Sequence, residues 1–164
     1  MSPIIGRRLL MKNLVPLIGI VAAGVMVSAA SCSAITNPAV EEGSGSVTEL
    51  RVRWGRWRAV GPRSYTYELR RACFCGTETV TPARVEVRDD RVVDIRSLAT
   101  GQRLSFTSVP TIDLLFEWAI AEAEAGGHVE VAYHPLLSYP TRLVIGTLAN
   151  DAGILYGVSK LVGR

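Results

Sequence analysis

Histidine, cysteine and long apolar runs are all scarce in this chain of 164 residues, and each shortage removes a class of function. With two His and three Cys, a zinc site would have to combine Cys73 and Cys75 with His128, His134 or a carboxylate. The Cys-x-Cys spacing is unusually tight for a zinc pair, and no second pair exists. Gly-x-x-x-x-Gly-Lys is absent, and Gly-x-Gly occurs only at Gly43 to Gly45, within a small and polar stretch, so no phosphate cradle is spelled out. Ser138 and His134 lie four residues apart in one loop, without the strand-turn-helix glycines of a nucleophile elbow. These residues predict no metal, no cofactor and no catalytic group. Charge of one sign is missing as well. The formal +3 comes from Arg7, Arg8 and Lys12. The rest of the chain is balanced, so its basicity does not point to nucleic acid.

The 48% apolar and 20% charged residues describe a folded chain of about one domain. Arg7, Arg8 and Lys12 precede an apolar run, Leu14 to Val27, of 14 residues, or 17 when extended to Ala30. Both counts fall short of the roughly 20 that cross a bilayer. Small residues follow, in the order of a secretory signal, and Met11 is an alternative start. Ala29-Ala30-Ser31-Cys32 resembles a bacterial lipobox, with Ala29 where leucine is commonest. That resemblance implies cleavage before Cys32 and lipid on its sulfur, which would anchor the chain to a membrane without spanning it. Residues 1–32 are therefore read as a lipoprotein-type signal peptide and 33–45, small and polar, as a flexible tether of about 20 Å. Residues 46–164 are read as the folded domain.

Within that domain, Ser46-Val47-Thr48-Glu49 has capping-box spacing ahead of Val47, Leu50, Trp54 and Trp57 at helical intervals. This predicts a helix to about Val60, stopped by Gly61-Pro62. Three alternating runs follow, Ser64 to Cys75, Thr79 to Arg88 and Arg91 to Leu98, with Asp89-Asp90 as a hairpin turn. The pattern then restarts. Pro110-Thr111 opens a helix with a stripe of Ile112, Leu115, Phe116, Ala119, Ile120 and Ala123, closed by Gly126-Gly127. Strands are predicted at His128 to His134, Thr141 to Gly146 and Gly153 to Lys160, with a turn at Asn150-Asp151. The expected fold is α+β: two α-β-β-β units forming an antiparallel sheet with both helices packed on one face.

Charge divides between the halves. Residues 49–103 hold 12 Arg and 7 acids, and 104–164 hold 3 basic residues and 6 acids. This polarity either steers a partner or lets one half complement the other. Cys73 and Cys75 form the remaining constellation with chemical potential. On a flat strand their Cα atoms would stand about 6.6–6.8 Å apart, at the limit of a disulfide, so a bond there needs a bulge or turn. A structural clip, buried thiols, redox exchange and metal binding are all open to this pair. If Cys32 carries lipid, the other two cysteines form an even set in an oxidising compartment.

Several short pieces, taken in order, resemble the bacterial domain-of-unknown-function family 6174. They are Trp57, Tyr65-x-Tyr67, Cys73-Phe74-Cys75, Leu115-Phe116, Tyr133 with Pro135, Tyr139-Pro140-Thr141, and Asp151. They extend over roughly Thr48 to Val162. The resemblance implies a small exported lipoprotein and assigns no activity. Two positions depart from the family pattern: His134 stands where Asp is expected, and Ser138 where Gly is usual.

The expected function is that of a lipid-anchored envelope protein that binds another envelope protein or component without catalysis. Its lipid partner is the bilayer through acylated Cys32, in a leaflet the sequence does not specify. The candidate contact surface is the loop His134 to Thr141, above all His134, Tyr139 and Pro140, where an aromatic ring and a stiff backbone favour binding; Tyr139-Pro140 reads equally well as a turn corner packed on the sheet. The alternative is thiol-disulfide exchange through Cys73 and Cys75, which requires a sulfur open to solvent.

Overall fold

The structure, a computed structural model, describes residues 41–105, 109–148 and 152–164. The signal-like segment, Cys32, residues 33–40 and the Asn150-Asp151 turn lie outside the described residues. The elements run β1 (Glu41–Gly43), α1 (Val47–Val60), β2 (Tyr65–Ala72), α2 (Thr77–Val80), β3 (Ala83–Arg88), β4 (Arg91–Ser97), α3 (Ile112–Glu124), β5 (Val129–Tyr133), β6 (Pro140–Ile145) and β7 (Ile154–Gly163).

Local chemistry sets the helix ends. The Ser46 hydroxyl accepts from the Glu49 N–H at 3.3 Å, while the Glu49 carboxylate accepts from the Ser44 N–H and hydroxyl at 2.8 and 2.7 Å. The capping box thus closes on Ser44 rather than on the cap residue itself. These bonds from Ser44, with Arg53 nearby, hold the Glu49 carboxyl below its ordinary range. At the far end of α1 the Gly61 N–H bonds the Trp57 carbonyl. Thr111 caps α3 by accepting from the Leu114 N–H at 3.2 Å. Gly126, at φ 77°, follows its last turn.

All seven strands lie in one antiparallel sheet of order β1-β5-β6-β7-β2-β3-β4. The units α1-β2-β3-β4 and α3-β5-β6-β7 therefore stand side by side, joined where β7 pairs with β2 from Tyr65↔Gly163 to Ala72↔Leu155. Both apolar stripes face the same side of the sheet. Alternation buries Tyr65, Tyr67 and Leu69 on β2 and Ala83, Val85 and Val87 on β3. Against them lie Trp57, edge-on to Tyr65, then Phe116 stacked on Tyr133 and Trp118 beside Tyr156. Two β2 hydroxyls pin the start of α3: Tyr67 donates to the Pro110 carbonyl, and Tyr65 accepts from the Ile112 N–H at 3.0 Å.

The opposite face is polar, and three of its acids are each held by two cations. Glu68 lies between Lys160 and Arg84, at 3.1 and 3.6 Å. Glu86 lies between Arg88 and Arg164, both at 2.7 Å. Asp94 lies between Arg103 and Arg96, at 2.6 and 2.7 Å, and their hydrogen bonds hold its carboxyl below the usual range. On the other unit Glu130 is similarly shared by His128 and Arg142.

Several expected boundaries move for identifiable reasons. The segment read as tether ends early: Glu41–Gly43 is strand β1, paired with Val131–Tyr133. It covers the β5 edge, which would otherwise be unpaired. Gly45, at φ 65°, lets the chain turn against the Val129 carbonyl, where a Cβ would collide. The run expected from Thr79 begins as the single turn α2, and β3 starts only after Pro82, which has no N–H to give a ladder. Strand β7 runs past its expected end at Lys160 because a bulge with Lys160 at φ 50° restores the register. Asp89 and Asp90, at φ 45° and 62°, make the predicted hairpin turn.

All five tyrosines are buried, and desolvation raises each phenol above its ordinary pKa, Tyr67 most clearly. A pKa raised on folding contributes stability that is complete below the unfolded value of about 10 and is lost as pH rises beyond it. Urea midpoints should therefore fall above about pH 10, with tyrosinate absorbance appearing together with loss of structure. Phenolate absorbance titrating near its ordinary pKa in an intact fold would contradict this.

Candidate interaction site

The described structure carries one strongly exposed aromatic, and the two cysteines hold it. Strand β2 stops at Ala72, so Cys73 and Cys75 are not on the inward strand face that alternation predicts. The chain turns instead. The turn draws the two Cα atoms to 5.2 Å and a disulfide joins them, which is the departure from a flat strand that the bond requires. The Gly76 carbonyl then accepts from the Thr79 N–H, starting α2. Between the sulfurs Phe74 is 81% exposed. Cys75 is exposed and Cys73 is half-buried. A three-residue covalent ring limits the backbone freedom of Phe74 and leaves its side chain outside the core, forming a knuckle at the end of β2.

The loop His134 to Thr141 is a different object from the expected contact surface. Tyr139 is only 5% exposed and Pro140 is buried at the start of β6. The Tyr139 ring meets Trp57 edge-on, with centroids 5.9 Å apart, and stacks on His134 at 4.8 Å. His134 Nδ1 accepts from the Leu136 and Leu137 N–H groups. This corner is packed, because the space beneath Trp57 at the end of α1 is filled by the Tyr139 ring. Tyr139 and Pro140 thus offer no contact area, and His134 is engaged within the loop. Only Leu136, 72% exposed, projects from it. Ser138 sits at φ 60° in this corner, fully buried, its hydroxyl without a hydrogen-bond partner among the described residues. A glycine would adopt that conformation without strain.

A groove of about 640 Å3 lies between the end of α1, the start of α3 and the β3–β4 turn. At its floor the Trp54 indole N–H donates to Asp113 Oδ1 at 2.7 Å and the Trp57 indole N–H to Oδ2 at 3.1 Å. Arg58 lies over the Trp54 ring, 5.4 Å from its centroid, and 3.8 Å from Asp113. On the rim, Arg63 pairs with Asp90 at 2.9 Å. Sequence reasoning took the tryptophans only as core residues. The missing signal is that a buried indole N–H needs an acceptor, and the first turn of a helix is where an acid is electrostatically favoured. Both Asp113 oxygens and both indoles are mutually satisfied, so the groove floor is a structural lock. Among the described residues no three His, Cys, Asp or Glu side chains converge as metal ligands.

Two helices on one face of a seven-stranded antiparallel sheet, in tandem α-β-β-β units, define a protein of the α+β class. Residues 49–163 match the model of the Family of unknown function (DUF6174), and the chain belongs to that family. The match covers the predicted resemblance almost end to end and includes the disulfide knuckle. No curated protein and no solved structure matches the chain.

Replacing Asp113→Ala strips the acceptor from both indoles and should lower unfolding stability by about 2–3 kcal/mol, with a shift in tryptophan emission. An unchanged urea midpoint would remove the lock from the argument. Ser138→Gly relieves a left-handed backbone and a buried, unbonded hydroxyl, and should raise stability by about 1 kcal/mol. A loss of stability would show that the hydroxyl has a partner.

Proposed function

We propose that this protein is an exported, membrane-anchored binding domain without catalytic activity. Lipid on Cys32 holds it at a bilayer, and the Cys73–Phe74–Cys75 knuckle meets an envelope protein or component. The observation that carries the reading is Phe74, a large apolar side chain 81% exposed on a covalently closed turn. Covering such a side chain contributes about 1.5–3 kcal/mol, and the ring has already restricted the backbone that binding would otherwise have to order. A disulfide on the surface suits an oxidising compartment, which agrees with the basic, apolar and small-residue order of residues 1–32.

Thiol-disulfide exchange is the second reading, favoured by one observation: Cys75 is open to solvent. In that reading a partner dithiol attacks Cys75 Sγ, breaking the disulfide, forming a mixed disulfide and expelling Cys73 as thiolate. The partner's second thiol then displaces Cys75 and leaves as a disulfide, so two electrons and two protons pass to Cys73 and Cys75. The pair follows a strand and precedes only the single turn α2, which is too short to supply the dipole that lowers a thiol pKa at the start of a full helix.

Intact mass of the protein purified from its native membrane, with and without reduction and alkylation, tests both parts. Expected are a diacylglycerol or triacyl increment on Cys32 and a two-hydrogen deficit at Cys73 and Cys75. An unlipidated chain would overturn the anchor, and freely alkylated Cys73 and Cys75 the knuckle. Phe74→Ser should leave the urea midpoint within about 0.5 kcal/mol of the parent. A larger loss would show that Phe74 packs and would withdraw it as a contact.

A further inference from the structure

The outward sheet face retains like charges in direct opposition. Arg84 on β3 is the cross-strand partner of Arg96 on β4, and Arg88 is the partner of Arg91. Arg96 also bridges to Arg103, so Arg84, Arg96 and Arg103 form one row across adjacent chain segments. Like charges opposed in this way destabilise a sheet, and the intervening acids offset this only in part. Glu68, Glu86 and Asp94 are each shared between two cations, so each group of three keeps one positive charge. Arg70 and Arg91 are exposed on the same face and add to the excess. The outward side of β2, β3, β4 and β7, with Arg103 and Arg164, carries eight cations against three acids. Around β5 and β6 that excess vanishes, because Glu130 pairs with Arg142 and Glu42 lies exposed on the neighbouring β1. The acids act as spacers that hold guanidinium groups apart and aim them outward.

We propose that this face docks on the anionic phosphate headgroups of a lipid bilayer. The cations are spread over four strands whose spacing is about 4.8 Å, a shape that suits anions arrayed in a plane better than a single ion in a cleft. Phosphate is the chemistry that a guanidinium fork recognises. The choice of a bilayer over a dissolved anion rests on the anchored reading above: Cys32 precedes β1 by nine residues, a reach of at most about 30 Å. A domain held within that distance of a membrane meets its headgroups at high effective concentration.

The test is arginine footprinting with a dicarbonyl reagent on protein purified from its native membrane and reconstituted into vesicles. Phosphatidylcholine vesicles are compared with vesicles that also contain phosphatidylglycerol. Expected is a fall of about fivefold or more in the modification of Arg84, Arg91 and Arg96 in the anionic vesicles. Exposed Arg56 on α1, beyond the other face of the sheet, should be unchanged, and high salt should restore reactivity. Equal reactivity in the two vesicles overturns the proposal. So does equal protection by inorganic phosphate beside phosphatidylcholine vesicles, which would mark a site for a free anion. If the protein fails to float with phosphatidylcholine vesicles, the anchor has failed. The same protein mixed with phosphatidylglycerol vesicles must then still show the protection, or the docking face fails as well. The exposed double substitution Arg84→Gln/Arg96→Gln should abolish the difference between vesicles while leaving the urea midpoint in place.

Discussion

The start of α3 is the point on which the two halves of this protein depend. Two elements of the first unit converge there: indoles from α1 donate to both oxygens of Asp113, and the Tyr65 and Tyr67 hydroxyls of β2 bond the backbone on either side of Thr111. A helix start leaves N–H groups without intrahelical partners. Here the second unit's helix is completed partly by its own Thr111 and partly by the first unit. The β7–β2 ladder closes the same junction from the sheet side. The units are thus one core, and neither satisfies its own polar groups alone.

Strand alternation then separates two very different surfaces. The inner one is aromatic, with one set of ring contacts from Trp57 to Tyr65 and Tyr139 and another from Phe116 to Tyr133. The outer one is built of arginine and acid. The charge polarity of the sequence serves in part to let the halves complement each other. Between the helices the halves complement each other, as in the Arg51–Glu124 pair. On the sheet the first half's excess arginine remains unneutralised. Exposed pairs of this kind contribute little to stability, so their main effect is the shape and sign of a surface.

Members of a family whose function is unknown offer no activity to map onto the fold. What distinguishes this chain is where its unburied features fall. The knuckle bearing Phe74 is at one end of β2, and the arginine rows lie on one side of the sheet. The two features differ in chemistry, one a single apolar ring on a covalently closed turn and the other a set of guanidinium groups spread over a sheet.

The sequence by itself determined the helices, their caps, the strand runs and the repeated α-β-β-β order, because these rest on neighbours a few residues apart: Ser46 with Glu49, Thr111 with Leu114, alternation through Tyr65, Tyr67 and Leu69. It also set a condition on the knuckle, since a bond between two cysteines so close on a strand needs a bulge or a turn. Strand order, and the pairing of β7 with β2, came only with the tertiary structure, as did β1 in a stretch too polar to signal a strand. The corner at Tyr139 misled for the same reason. A Tyr-Pro in a loop reads identically whether its ring faces water or fills the space beneath Trp57, and that choice depends on a helix some eighty residues earlier. Asp113 stands in the first turn of α3, where an acid is electrostatically favoured, yet its hold on two indoles depends on α1 lying across it. Contacts between residues distant in the chain are decided by packing, and no local pattern records them.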